Sequence, residues 1–253
     1  MQLCGKGGYG TGTLDTKSHL VNCVAAHGDS AVAMRTQRER TIRNMNLHIC
    51  ARWECDDDGW PIVRPSYAVP ERLATFQVSN DDDDAFCHFF IDDYRFERIW
   101  NKPERYVPIL SQYQGVIMPD FSLYTDMPYP MQQWNHYRSL ALMQYWQDNG
   151  IEVVPSLNWS DERSLGFSLA GMPTGGTYAV CTTGCISAES NRNEFIRMLS
   201  LCLERVRPDT LLLYGRETDL GIPPHIMVRW YANDNHERAV RNAGHRDKVR
   251  GDH

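Results

Sequence analysis

Nowhere in the sequence do apolar residues approach the roughly 18 in succession that a membrane-spanning helix requires, and the first residues lack the apolar stretch of a secretory signal. A cytoplasmic protein that does not span a membrane is therefore expected. Positive charge is also scarce: 26 Lys and Arg stand against 32 Asp and Glu, for a net charge of −6. Nucleic acid is thus not indicated as a partner by overall charge, although a local basic patch stays open. Metal-binding spacings are missing as well. His48, Cys50 and Cys55 match no two-knuckle zinc pattern, and Asp81 to Asp84 lack the alternation and glycine of a calcium loop. No metal is expected, and no cofactor can be assigned. The eight cysteines are scattered through a chain of 253 residues, too long to need disulfide staples, and are expected to be reduced. The early glycines (Gly5, Gly7, Gly8, Gly10, Gly12) follow no strand and open no helix, which excludes a phosphate-cradling loop.

Residues 1–44 hold few large apolar side chains, so burial there cannot offset the entropy of ordering. They are expected to form a flexible N-terminal extension. Residues 45–232 are expected to form a single domain, and residues 233–253 a polar tail. In the domain, short apolar runs alternate with longer helical patterns. The runs are Ala74–Val78, Cys87–Ile91, Gly115–Met118, Ile151–Pro155, Tyr178–Thr182, Leu211–Tyr214 and Ile226–Tyr231. Most are continuously apolar, as strands covered on both faces must be.

The clearest helix runs from about Pro130 to Asn149, with Pro in its first turn, Gly150 beyond its end, and Met131, Trp134, Tyr137, Ala141 and Tyr145 as its apolar stripe. A second spans about Ala188–Arg207, capped by Ser187, buried through Phe195, Leu199, Cys202 and Val206, and stopped by Pro208. A third spans about Pro103–Gln114, with Pro108 inside it. Strand, helix, strand is the parallel crossover unit. The expected fold is α/β with a mostly parallel sheet, a degenerate or incomplete TIM-barrel-like arrangement of six or seven strands.

Several stretches then resemble one family. Phe89 through Trp100, Pro119 through Tyr124 with Asp126-Met127-Pro128, Trp134-Asn135 with Tyr137-Arg138, and Leu213-Tyr214-Gly215 are similar to domain of unknown function 4417. So are Gly150 through Pro155 with Trp159, and Thr182-Thr183-Gly184, where Thr183 stands in place of the family's Val. The resemblance spans about Pro65 to Tyr231. It implies a protein of bacterial genomes, phages or mobile elements, and it implies no activity.

In parallel α/β folds the functional loops follow the carboxyl ends of the strands. That rule gathers Asp92, Asp93, Asp120, Ser122, Asp126, Asn158, Trp159, Thr182, Thr183, Tyr214 and Arg216 on one rim, and Asn135 and Arg138 lie near it in the first half of the long helix. Asp120 is the candidate general acid or base, with Asp92 or Asp93 as partner. Adjacent aspartates in an extended chain face opposite ways, so one of that pair can equally cap a helix. Asp126 reads either as a helix cap or as a ligand contact. Arg138 reads either as an anion clamp or as half of an ion pair with a rim aspartate. Trp159 either stacks on a ring or closes the core. Two readings follow: an enzyme acting on a small polar or nucleotide-like ligand, or a non-catalytic module that recognises a host protein or nucleic acid.

Overall fold

The computed structural model describes residues 45–50, 55–77, 83–186 and 189–233. The expected extension and nearly all of the expected tail lie outside them. The chain divides into two compact units, Met1–His48 and Ile49–His253. Of the first, only Met45–His48 are described, with Asn46 in the left-handed backbone region at φ 47°. All that follows concerns the second.

Its elements run in order β1 (Leu73–Thr75), β2 (Phe86–His88), α1 (Asp93–Phe96), α2 (Arg98–Asn101), α3 (Pro103–Leu110), β3 (Gly115–Ile117), α4 (Tyr129–Asp148), β4 (Val153–Val154), α5 (Leu165–Ser168), β5 (Thr177–Cys181), α6 (Glu189–Val206), β6 (Thr210–Tyr214) and β7 (Met227–Tyr231). Every strand pair is parallel. One sheet has the order β1-β2-β3-β4 and the other β5-β6-β7. A parallel bridge between Ser156 and Ala179 joins them, with Leu157 N–H donating to Ala179 O at 2.8 Å and Ala179 N–H to Pro155 O at 2.9 Å. The strands therefore follow one another in space as they do in the chain. No ladder joins β7 to β1 among the described residues, so no closed barrel is formed. Instead the Tyr231 hydroxyl donates to Pro70 O, and Arg229 Nη2 donates to Glu71 O at 3.2 Å.

Side chains alternate across the strands, as the pleat requires. Cys87, Val116 and Val153 face the core beneath α1 to α4, which also holds Phe96, Leu140 and Trp146. Tyr178, Val180, Leu211 and Leu213 face α6 and its Leu199 and Cys202. The intervening residues Phe86, Ile117, Val154, Ala179, Leu212 and Tyr231, together with Tyr214, form a third cluster drawn from every strand from β2 to β7. Gly115 makes room there, since a Cβ on it would lie 2.3 Å from the Phe86 ring.

In the first sheet the ladders are shorter than the apolar runs that announced them. Phe76, Phe89, Met118 and Phe121 lie past strand ends yet stay buried in the first core, so hydrophobicity continues where pairing stops. Part of the Cys87–Ile91 run thus leads into α1, and α1 and α2 replace what reads as loop. Val78 and Ser187 lie outside the described residues. Helix α4 has Pro130 in its first turn and Gly150 at φ 80° past its end. Its apolar stripe is corrected: Met131 is 53% exposed, while Gln132, Asn135, His136, Arg138 and Ser139 are buried. The helix is covered on several sides, so apolar spacing alone does not reveal which residues turn inward. Gln144 Nε2 donates to Ile62 O at 2.6 Å, Gln147 Nε2 to Arg64 O at 2.9 Å, and His136 Nε2 lies 3.1 Å from Ala170 O.

Candidate functional site

Past the carboxyl ends of β3, β4 and β5 the chain opens into a cavity of about 280 Å³. The segment after β3 contributes Asp120, Ser122 and Tyr124. The segment after β4 supplies Asn158 and Trp159, and the segment at the end of β5 supplies Cys181, Thr183 and Cys185. Leu123, Leu157, Val180 and Phe195 complete the apolar part of the wall. Trp159 packs on Phe195 with ring centroids 5.1 Å apart. Asn158 is held in place by donating from Nδ2 to Phe121 O at 2.9 Å.

Asp120 is the most perturbed acid of this wall. Its Oδ1 is buried without a hydrogen-bond partner among the described residues. Burial lifts the carboxyl from 3.8 to about 7, and the nearby charge of Asp93 adds to the rise. Such a group exchanges a proton readily near neutral pH. The two thiols beside it move the other way from usefulness. Burial, with the charge of Asp120, pushes Cys181 up to about 12 and raises Cys185 as well, which keeps both protonated and poor as nucleophiles.

Asp93 does not line the cavity; it anchors the loop that does. Its carboxylate accepts from Ser122 N–H at 3.1 and 3.2 Å and from Ser122 Oγ at 2.8 Å. Ser122 O in turn accepts from Asn135 Nδ2 at 2.7 Å. Asn135 Oδ1 accepts from Arg138 Nη2 at 2.6 Å, and Arg138 Nη1 donates to Glu97 Oε1 at 2.6 Å. The guanidinium also lies 3.8 Å from the centre of the Phe121 ring. Burial lowers the Arg138 pKa, and Glu97 opposes that. One continuous chain of contacts thus runs from α2's entrance through α4 to the Asp120 loop.

The structure brings together only some of the residues read from the sequence. Asp120, Trp159 and Thr183 share the cavity wall, and Asp93, Asn135 and Arg138 form the network behind it. Arg138 finds Glu97 as its partner and not a rim aspartate. Asp92 is exposed at the start of α1 and makes no side-chain cap bond. Asp126 is exposed and does not cap α4, whose N-cap position is Pro128. Tyr214 is buried beneath the rim, 4.4 Å from the His88 ring and 5.3 Å from Phe90. Arg216 lines a separate surface groove with Glu217 and Trp230. Ser122 and Asn158, read to the rim from their position after a strand end, belong to the wall and the network. Glu97 carried none, since nothing in the chain ties it to Arg138, 41 residues away. Among the described residues no three His, Cys, Asp or Glu side chains gather as a metal site.

Comparison with known proteins agrees with the resemblance. The family described as domain of unknown function (DUF4417) matches residues 56–232. The chain is similar to the "Gene 1 protein" of Mycobacterium phage L5, 38% identical over 161 residues, which cover 62% of this chain and 70% of that protein. It is equally similar to the "Gene 1 protein" of Mycobacterium phage D29, at 38% over 161 residues, and spans 60% of that protein's length. No solved structure matches the chain. No helix among the described residues is long and apolar enough to cross a membrane. The family match takes in both sheets, the Asp93 to Arg138 network and all of the cavity wall, and the chain therefore belongs to the DUF4417 family.

Proposed function

We propose that this chain is a phage- or mobile-element-borne cytoplasmic enzyme acting on a small polar ligand in the Asp120 cavity, with Asp120 as general acid or base. The observation that carries the reading is Asp120 itself. A carboxyl with an unpartnered, buried oxygen and a pKa near 7 stands at the wall of a concave cavity. A buried polar atom without a partner is a standing cost in a folded chain, and a ligand donor or acceptor would satisfy it. Asp93 is the acidic partner in this reading: its charge raises the proton affinity of Asp120, and its bonds to Ser122 hold the loop. Asn135 and Arg138 act as positioning residues through the same loop. Trp159, Thr183 and Asn158 contact the ligand in this reading.

The sequential parallel strands and their shared third cluster also support an incomplete barrel of the TIM type, whose loops at the carboxyl ends carry chemistry. A concave wall favours the enzyme over the flatter face of a recognition module. The test is a thermal-shift screen of small polar compounds, followed by mass spectrometry of each stabilising compound after incubation with the protein. Wild type is expected to convert at least one such compound, and Asp120→Asn to bind it without conversion. Stabilisation by compounds that wild type never converts would reduce the site to a binding module.

A further inference from the structure

The cavity is unusual in what its walls omit. Among the described residues lining it there is no Lys, Arg or His, and its charged member is an aspartate. The Arg138 guanidinium, in the network behind the wall, is already held by Glu97, Asn135 and the Phe121 ring. A phosphate entering this space would meet the carboxyl of Asp120 and the field of Asp93, with no cation to pair with. What the wall does offer is an aromatic plate, Trp159, the carboxyl of Asp120, and the hydroxyl of Thr183 and amide of Asn158 nearby. A carboxyl in its neutral form presents a donor and an acceptor side by side. That pair matches the edge of a ring carrying an amino group next to a ring nitrogen.

On the reading that this cavity is the working site, we propose that it takes an uncharged planar heterocycle with adjacent hydrogen-bond donor and acceptor, the chemistry of a free nucleobase or its nucleoside, and excludes the phosphorylated forms. The ring lies against Trp159 and its edge pairs with the Asp120 carboxyl. The available volume of about 280 Å³ accommodates one such ring with or without a sugar.

Binding is measured by titration calorimetry on the full chain at about pH 6, where the carboxyl is mostly protonated. The probes are adenine, cytosine, adenosine, cytidine and the two nucleoside monophosphates, with spermidine as a cationic control. At least one base or nucleoside is expected to bind at least about tenfold more tightly than its monophosphate. The base and nucleoside arms show whether the sugar is part of the ligand. Asp120→Asn keeps a donor and an acceptor and is expected to retain that affinity within about threefold, whereas Asp120→Leu loses at least about tenfold. Trp159→Leu is expected to weaken binding while leaving the thermal midpoint near that of wild type, which provides a second line if Asp120→Leu fails to fold. Equal or tighter binding of the monophosphates, binding of spermidine alone, or no binding by any probe would overturn the inference. The acid–base reading fails separately: a nucleoside that binds as described but is never converted leaves this inference standing and removes that one.

Discussion

Helix α6 buries Phe195, Met198, Leu199, Cys202, Leu203 and Val206 against β5 and β6, an apolar face throughout. Helix α4, of similar length, buries Leu140, Leu142, Met143 and Trp146 but also Gln132, Asn135, His136, Arg138 and Ser139. The difference teaches how the molecule divides labour. The α6 flank gains from removing hydrocarbon from water and needs no specific partner for each atom. The α4 flank takes on buried polar side chains whose hydrogen bonds offset their burial, and uses Gln132, Asn135 and Arg138 to fix the segment that carries Asp120. His136 shows the cost, for burial pulls its pKa down to about 4 and leaves it neutral.

The sharpest way to test this division is Asp120→Asn. The native carboxyl is raised from 3.8 to about 7, so the folded state binds a proton that the unfolded state has released in that interval. The penalty is absent below about pH 4, grows as pH rises, and is complete above about pH 7, where it is on the order of 4 kcal/mol at most. Asp120→Asn removes it. The variant is expected to be more stable than wild type at pH 8 and nearly equal at pH 4, as read from urea melts at both. An unchanged difference across that range would show that the carboxyl is not buried in the way described. The simple expectation for an exposed rim residue, a shift of less than about 1 kcal/mol at any pH, is replaced by this pH-dependent gain.

On the apolar flank, Leu199→Ala is expected to cost about 3 kcal/mol, through lost burial and the cavity left behind. That loss should not vary with pH, since the thiol of the α6 stripe, Cys202, is pushed up to about 12 by burial and stays protonated. A strongly pH-dependent loss would break the contrast between the flanks. On the polar flank, Arg138→Gln is expected to cost about 2 kcal/mol, below the range for a fully buried pair because the Glu97 side chain is 41% exposed. A double-mutant cycle with Glu97→Gln should show coupling, and additivity would mean the contact contributes nothing. Smallest of all, Asp126→Ala and Arg216→Ala are each expected to stay within about 0.5 kcal/mol in the same melts, since both side chains are exposed. A larger loss at either position would give it a structural role not seen here.

How much was legible follows the same divide. The stripe of α6 could be read directly, because a helix with one covered face repeats its apolar residues every three or four positions. The stripe of α4 misled, because Met131 falls in register yet faces outward, and Asn135 falls out of register yet is buried. The rule that loops after strand ends share one rim placed Asp120, Trp159 and Thr183 together, because parallel topology sends all carboxyl ends to one side. The same rule carried along Asp92, Asp126 and Arg216, because it assigns a segment to the rim without saying which way each side chain turns.

Fold class, parallel pairing and the rim were thus determined by the sequence itself, through the alternation of continuous apolar runs with helical periods. The pKa of Asp120, the engagement of Arg138 by Glu97 and the absence of any cation from the cavity wall among the described residues were decided only by the tertiary structure. Each depends on distances between residues far apart in the chain, and burial and Coulomb interactions act through space, where local pattern carries no record of them.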